Sequence, residues 1–209
     1  SMGDLNHAYN RYINIQEGTL NTNGHKIVTG KFVTGSDGAV NIKNSSLYLN
    51  GYIYNAWDMH SSGTLISADS SAIYLTHEGS QYIPKFSGGK KNYSKVYALA
   101  NSQFNNNDTI QNLYLKRGYE CEITYNKTLT IGEDITLFDF STINTSLRSS
   151  NSTQTATITK SSGNICLNKI NIENIEATGG ATFTIGHGSN DLGGNTGWQS
   201  SSNYCHAYI

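Results

Sequence analysis

Short runs of alternating apolar and polar residues recur along the whole chain, cut roughly every 8–12 residues by a dipeptide suited to turns. The plainest runs are Lys26–Thr29, Ala39–Ile42, Ser46–Leu49, Ala72–Thr76, Lys95–Leu99, Gln111–Leu115, Glu120–Thr124, Thr128–Ile131, Ile135–Phe138 and Ala181–Ile185. Between such runs stand Asn23-Gly24, Asp37-Gly38, Asn50-Gly51, Ser62-Gly63, Gly88-Gly89, Ser162-Gly163 and Gly179-Gly180. These dipeptides supply positive φ or local side-chain hydrogen bonds. No long window places apolar residues at i, i+3, i+4 and i+7, so an amphipathic helix has nowhere to form. The pattern predicts an all-β fold of many short strands, open to a sandwich, a barrel or a stacked solenoid.

Composition removes several rivals. Only 36% of residues are hydrophobic, which invites disorder, but a net charge of -1, 11% aromatics and the lone proline Pro84 are not those of a disordered chain. With 209 residues a compact fold would bury about 70% of the extended surface. Fourteen basic residues spread along a nearly neutral chain give no footprint for a phosphate backbone, so no nucleic-acid partner is expected. No apolar run is long enough to cross a bilayer, and membrane insertion is not expected. Ser1-Met2 reads as an expression scar, with residues 1–12 a lead-in. Cys121, Cys166 and Cys205 are odd in number and widely spaced, which signals neither a zinc site nor a disulfide framework and leaves room for one disulfide.

Two features favour the solenoid. Leu20–Gly24 and Leu47–Gly51 each lead from an Asn-Gly turn into a further strand, and asparagine recurs beside strands at Asn44, Asn112, Asn168, Asn171 and Asn174. Stacked rungs align like residues, and asparagines at corners can form ladders of side-chain amide bonds.

Three stretches carry a more specific likeness. Ile13–Phe32 leads through Thr19-Leu20-Asn21-Thr22-Asn23-Gly24 to a strand and an aromatic, Phe86-Ser87-Gly88-Gly89-Lys90-Lys91-Asn92-Tyr93 is followed by Phe104-Asn105-Asn106 and Asn112-Leu113, and Asp191-Leu192-Gly193-Gly194-Asn195-Thr196-Gly197-Trp198 closes the series. In this the chain resembles the Asn/Gly/Thr-rich parallel β-helix domains of bacteriophage tail or other virion proteins and of bacterial surface, adhesin-like proteins. The resemblance covers residues 13–198 and implies a right-handed parallel β-helix, the alternative being a β-sandwich or jelly roll. It also implies a virion or extracellular location, structural support or recognition of a cell-surface polysaccharide or receptor, contact with other virion or surface proteins, and a possible homo-oligomer. Residues 199–209 continue beyond the family's usual end, as a polar cap or linker. Trp198 is expected to close the hydrophobic column.

Candidate chemistry is thin. Gly186-His187-Gly188 resembles a motif of β-helix glycosidases that cleave polygalacturonans, but glycoside hydrolysis needs paired carboxylates, and the chain has no Asp-Asp pair beside it. His187 is therefore read as a loop histidine. Glu120 and Glu122 alternate onto one strand face about 7 Å apart, a spacing that could hold a sugar or a calcium ion. Lys116 and Arg117 just upstream make exposed, solvated charge the plainer reading. The other histidines are scattered without H-x-H or H-E-x-x-H, and no cofactor is expected beyond that calcium. The sequons at Asn44, Asn92, Asn107, Asn126, Asn144 and Asn151 carry no weight in so Asn/Ser/Thr-rich a chain.

The aromatics say more. Fourteen tyrosines stand against six phenylalanines, and Tyr48, Tyr52, Tyr54, Tyr93, Tyr97, Tyr114, Tyr119 and Tyr125 sit where strand alternation alone does not bury them. Exposed tyrosine and tryptophan offer flat apolar faces with a polar handle. The expected recognition surface is Tyr48, Tyr52, Tyr54, Trp57, Tyr97 and Tyr114, densest at Tyr52–Trp57. The competing reading is that tyrosine caps rungs and fills turns. The function this suggests is non-catalytic glycan recognition, against a polysaccharide depolymerase or a purely structural spacer.

Overall fold

The structure, a computed structural model, describes residues 5–6, 12–51, 55–76 and 83–205, with the backbone alone described at 5–6. Among these residues there is no helix, and every strand pairing is parallel. Sandwiches and jelly rolls are antiparallel, so that alternative is set aside.

The chain visits two large sheets in turn, and within each sheet strand order follows chain order. The first sheet runs Leu5–Asn6, Lys26–Thr29, Ser46–Leu49, Ala72–Leu75, Asn92–Ala98, Thr109–Lys116, Thr128–Phe138, Ala156–Lys160 and Ile175–Gly179. The second runs Tyr12–Asn21, Lys31–Asn41, Asn55–Met59, Lys85–Ser87, Ser102–Phe104, Glu120–Ile123, Thr145–Ser149, Ile170–Glu173 and Asn190–Asp191, with Thr64–Ser67 joined to Lys31–Asn41 off that path. A third, short sheet of Asn164–Leu167, Thr182–Ile185 and Trp198–Ser200 opens late in the chain.

Parallel register stacks each residue on its equivalent one strand away, so alternation along a strand becomes columns across the sheet. On the inner face of the first sheet, Ile27, Leu47, Ile73, Val96, Leu113 and Ile135 align, and all are buried. On the second sheet the column is aromatic, from Phe32 through Trp57, Phe86 and Phe104 to Ile123. Each such side chain, once sealed from water, contributes roughly 1.5–3 kcal/mol.

One expected turn and one expected break between strands are bulges instead. Asp37-Gly38 lies inside Lys31–Asn41, where the register with Tyr12–Asn21 shifts. Glycine is required there because a β-carbon on Gly38 would stand 2.2 Å from the Ile15 carbonyl oxygen. Likewise Thr128–Ile131 and Ile135–Phe138 are one strand, bulged between Ile131 and Asp134. A bulge inserts an extra residue without ending the strand, which local composition does not distinguish from a turn. Of the asparagines expected in an amide ladder, Asn171 forms one, its Oδ1 accepting from Asn144 Nδ2 and Asn190 Nδ2 at 3.0 and 2.8 Å, whereas Asn168 and Asn174 bond to backbone instead.

One polar group is held deep in the fold. Asp108 accepts hydrogen bonds from the Gly88 N–H at 2.9 Å and the Lys90 N–H at 2.8 Å, clamping the Gly88-Gly89 turn. Burial pushes its carboxyl up to about 6, because removing the charge from water outweighs those backbone donors. The folded chain therefore holds this proton more tightly than the unfolded chain does. Its contribution to stability grows as pH falls from about 6 to about 4 and is lost as pH rises through that window, by on the order of 2–3 kcal/mol. Glu122 and Asp134 are raised in the same direction, also by burial first. Thermal melts are expected to show higher stability at mildly acidic than at neutral pH, with a flatter profile in Asp108→Asn; an unchanged profile in that variant would remove Asp108 as the source.

Candidate functional site

The outer face of the first sheet carries a file of tyrosines. Tyr48, Tyr74, Tyr97 and Tyr114 are paired in direct register on four successive strands, and all are half-buried. Their rings stack nearly parallel, with centroids 4.3, 4.5 and 4.3 Å apart and interplanar angles of 3°, 15° and 6°. Strand spacing of about 4.7–4.9 Å sets that separation, so the file is a direct product of parallel register. Lys26 Nζ lies 4.7 Å from the Tyr48 ring centroid at one end, and Phe138 meets Tyr97 edge-on at 6.3 Å.

Stacking decides what the file can offer. The faces of Tyr74 and Tyr97 are covered by their neighbours, so these rings present edges and hydroxyls. Aromatic edges carry the positive part of the ring quadrupole and favour oxygen-rich partners. Burial pushes Tyr97 up to about 12, with Tyr114 and Tyr74 adding to the rise, and Tyr74 is raised by burial and then by Tyr48. Tyr74 and Tyr97 thus stay neutral at physiological pH, and the file presents a row of hydroxyl donors and acceptors.

Beyond Tyr114 the next residue in register is Thr136, and beyond Asn112 it is Asp134. Both line a polar groove of about 580 Å³, together with Arg117, Glu133, Asn164 and Asn168. The bulge before Asp134 is fixed from inside by Lys160, whose buried ammonium donates to the carbonyls of Gly132 at 3.0 Å and Glu133 at 2.6 Å. The far wall is the strand Asn164–Leu167, tied to the chain end by the Cys166–Cys205 disulfide and by paired bonds between Asn168 and the Cys205 backbone, at 3.1 and 2.8 Å. The groove's volume lies in the roughly 300–1,000 Å³ range of small-ligand sites, but its lining is more polar than is usual for them.

Other expected site residues are placed differently. Trp57 is fully buried, which corrects the expectation of an exposed ring. A register shift between Asn55 and Trp57 turns Ala56 and Trp57 both inward. Tyr93 is buried as well; its hydroxyl accepts from Trp57 Nε1 at 2.9 Å and donates to the Gly88 carbonyl at 2.7 Å. Tyr52 and Tyr54 lie outside the described residues. Trp198 is partly buried and meets Phe183 edge-on at 5.3 Å.

Glu120 and Glu122 do share an outer face, but Arg148 sits between them, its Nη2 2.6 Å from Glu120 and 2.8 Å from Glu122. The neighbouring strand delivers it, since Arg148 is paired directly with Glu122. The space read as a sugar or calcium site is therefore filled by a guanidinium, and the carboxylates belong to a partly exposed ion cluster on the sheet's outer face. His187 is exposed in a turn, its ring stacked on Tyr204 at 4.1 Å and its N–H bonded to the Asn203 carbonyl. Among the described residues no group of three His, Cys, Asp or Glu side chains is arranged to hold a metal ion, and no helix is long and apolar enough to cross a membrane.

Tyr74 and Thr136 escape the sequence reading as site residues, while Asn112 enters it only as a strand-side asparagine and Asp134 only as one of several acidic residues. Tyr74 occupies the same strand position as Tyr48, Tyr97 and Tyr114, a signal visible once strands are aligned. Comparison with known protein-family models, with curated proteins and with solved structures finds no match to the chain.

Proposed function

We propose that the chain is a right-handed parallel β-helix of a virion or extracellular surface protein, and that its outer tyrosine file recognises a cell-surface polysaccharide without cleaving it. The observation that carries this reading is the register-locked row Tyr48–Tyr74–Tyr97–Tyr114, a line of stacked rings that presents hydroxyls and ring edges. A linear polyhydroxyl chain can meet such a line at several successive points. Each contact is weak, and repetition along the polymer or across an oligomer multiplies them. The chain-ordered parallel sheets support the β-helix, and the Cys166–Cys205 disulfide favours an oxidising compartment. Against hydrolysis stands the Glu120–Arg148–Glu122 cluster, which leaves neither carboxylate free to act as acid or nucleophile.

An array of bacterial capsular and lipopolysaccharide glycans tests it. Wild type is expected to bind a subset, and Tyr97→Phe with Tyr114→Phe, which keep the stack and remove hydroxyls, to weaken that binding at least about tenfold. Retained affinity in the double variant would exclude the file as the binding surface, and new reducing ends released from a bound polysaccharide would overturn the non-catalytic reading.

A further inference from the structure

The groove beyond Tyr114 exists because a backbone ladder is broken there. Ile135–Phe138 is paired on one side with Leu113–Lys116, and the Arg117 N–H donates to the Phe138 carbonyl on that same side. Backbone groups alternate in direction along a strand, so the N–H and C=O of Ile135 and Leu137 point the other way, towards the groove. On the facing wall, Thr182 and Gly186 donate to the carbonyls of Gly163 and Leu167. By the same alternation the N–H and C=O of Asn164 and Cys166 point back at Leu137. Among the described residues no ladder joins these two strands.

Side chains satisfy two of the groups this leaves. Asp134 Oδ1 accepts the Ile135 N–H at 2.8 Å, and Arg117 Nη1 donates to the Asn168 carbonyl at 3.3 Å. Asn112, Asn164 and Thr136 also line the groove, and Thr136 continues the tyrosine file in register beyond Tyr114. Its charges are balanced internally, with Glu133 and Asp134 set against Arg117 and the bulge-bound Lys160.

We propose that this groove is a subsite for one neutral pyranose unit, whose hydroxyls take up the backbone groups left by the broken ladder while Asn112 and Thr136 orient it. This rests on the saccharide reading above and extends it beyond the tyrosines. Unladdered backbone groups need partners that both donate and accept, which sugar hydroxyls do. With Glu133 and Asp134 set against Arg117 the groove offers no net positive charge for a uronate carboxylate, so a neutral unit fits it better.

The test is amide chemical-shift mapping of the intact protein with glucose, galactose, mannose and N-acetylglucosamine, and with glucuronate and galacturonate, each at about 50 mM. At least one neutral sugar is expected to shift the amides of residues 135–137 and 164–168. Asn112→Ala with Thr136→Val is expected to weaken that shift at least about fivefold at unchanged melting temperature. Absence of groove shifts with every neutral sugar, or equal or larger shifts with the uronates, would overturn the proposal. If that happens while the tyrosine variants still lose polysaccharide binding, the groove falls and the file stands. Groove shifts without any array binding would mean the reverse.

Discussion

Trp57→Ala is expected to lower the stability of the fold by about 3–5 kcal/mol, the range for removing a fully buried aromatic side chain. Trp57 stacks on Phe32 at 4.7 Å and on Phe86 at 6.3 Å, and meets Tyr93 edge-on at 5.9 Å. Its removal opens a cavity in the middle of the aromatic column of the second sheet. It also takes the Nε1–H from the buried Tyr93 hydroxyl, which then keeps only the Gly88 carbonyl. Two-sided stacking leaves the neighbours no way to collapse into the gap without breaking register, so the cost belongs at the upper end. At roughly 2–4 °C per kcal/mol for a chain of this size, the melting temperature should fall by 6–20 °C. Trp57→Phe keeps the stacking and loses the donor, and should cost clearly less. If instead Trp57→Ala melted like wild type and lost glycan binding, Trp57 would be a surface residue and the burial described above would be wrong.

That residue also marks where the sequence could and could not be read. The density of aromatics in Tyr52–Trp57 suggests a surface patch, yet Trp57 and Met59 are spaced two apart and both face inward, with Asp58 turned out. Alternation over Trp57–Met59 points the ring inward, whereas the shift that turns Ala56 inward as well leaves no mark in the local pattern. The all-β character and short strands follow directly from period-2 patterning, because alternation survives in any strand with one dry face. Bulges were not legible: Asp37-Gly38 and Gly132-Glu133 carry turn residues, and only cross-strand register distinguishes an extra residue in a strand from a corner.

The candidate site was legible in part for the same reason. Tyr48, Tyr97 and Tyr114 sit at outward positions that alternation assigns one strand at a time. That their rings form one stack depends on pairing partners about 17–26 residues apart, read from the register of Tyr48 with Tyr74, Tyr74 with Tyr97 and Tyr97 with Tyr114. The groove was hidden further still. Its walls come from strands that do not pair, Ile135–Phe138 and Asn164–Leu167, and a missing ladder leaves no mark in local composition. The Arg148 that fills the space between Glu120 and Glu122 likewise arrives from a separate strand, 26 residues after Glu122.

Removing the Cys166–Cys205 bond is the second large effect. It closes a loop across 39 residues, and the chain-entropy account of cross-linking gives about 4 kcal/mol for a loop of that length. The geometry argues that most of this is felt by the fold rather than by a fraying tail. Residues 203–205 are bonded back to His187 and Asn168, Trp198–Ser200 completes the third sheet, and Cys166 lies in the first strand of that sheet. Strands stacked in order contact chiefly their neighbours, so loosening the last one exposes the next. Cys205→Ser is expected to melt roughly 8–16 °C below wild type. The thiol count gives an independent reading. Cys121 is fully buried and its thiol is pushed up by burial, so the native protein should show no reactive thiol, the denatured protein one, and the denatured and reduced protein three. Three thiols without reductant, or a Cys205→Ser melt that matches wild type, would remove the disulfide as a brace. Because Cys166 and Cys205 also line the groove, the same variant should loosen its far wall. Any sugar-induced amide shifts at residues 164–168 should then weaken before those at residues 135–137, since the latter stay anchored by Lys160 and the first-sheet ladder.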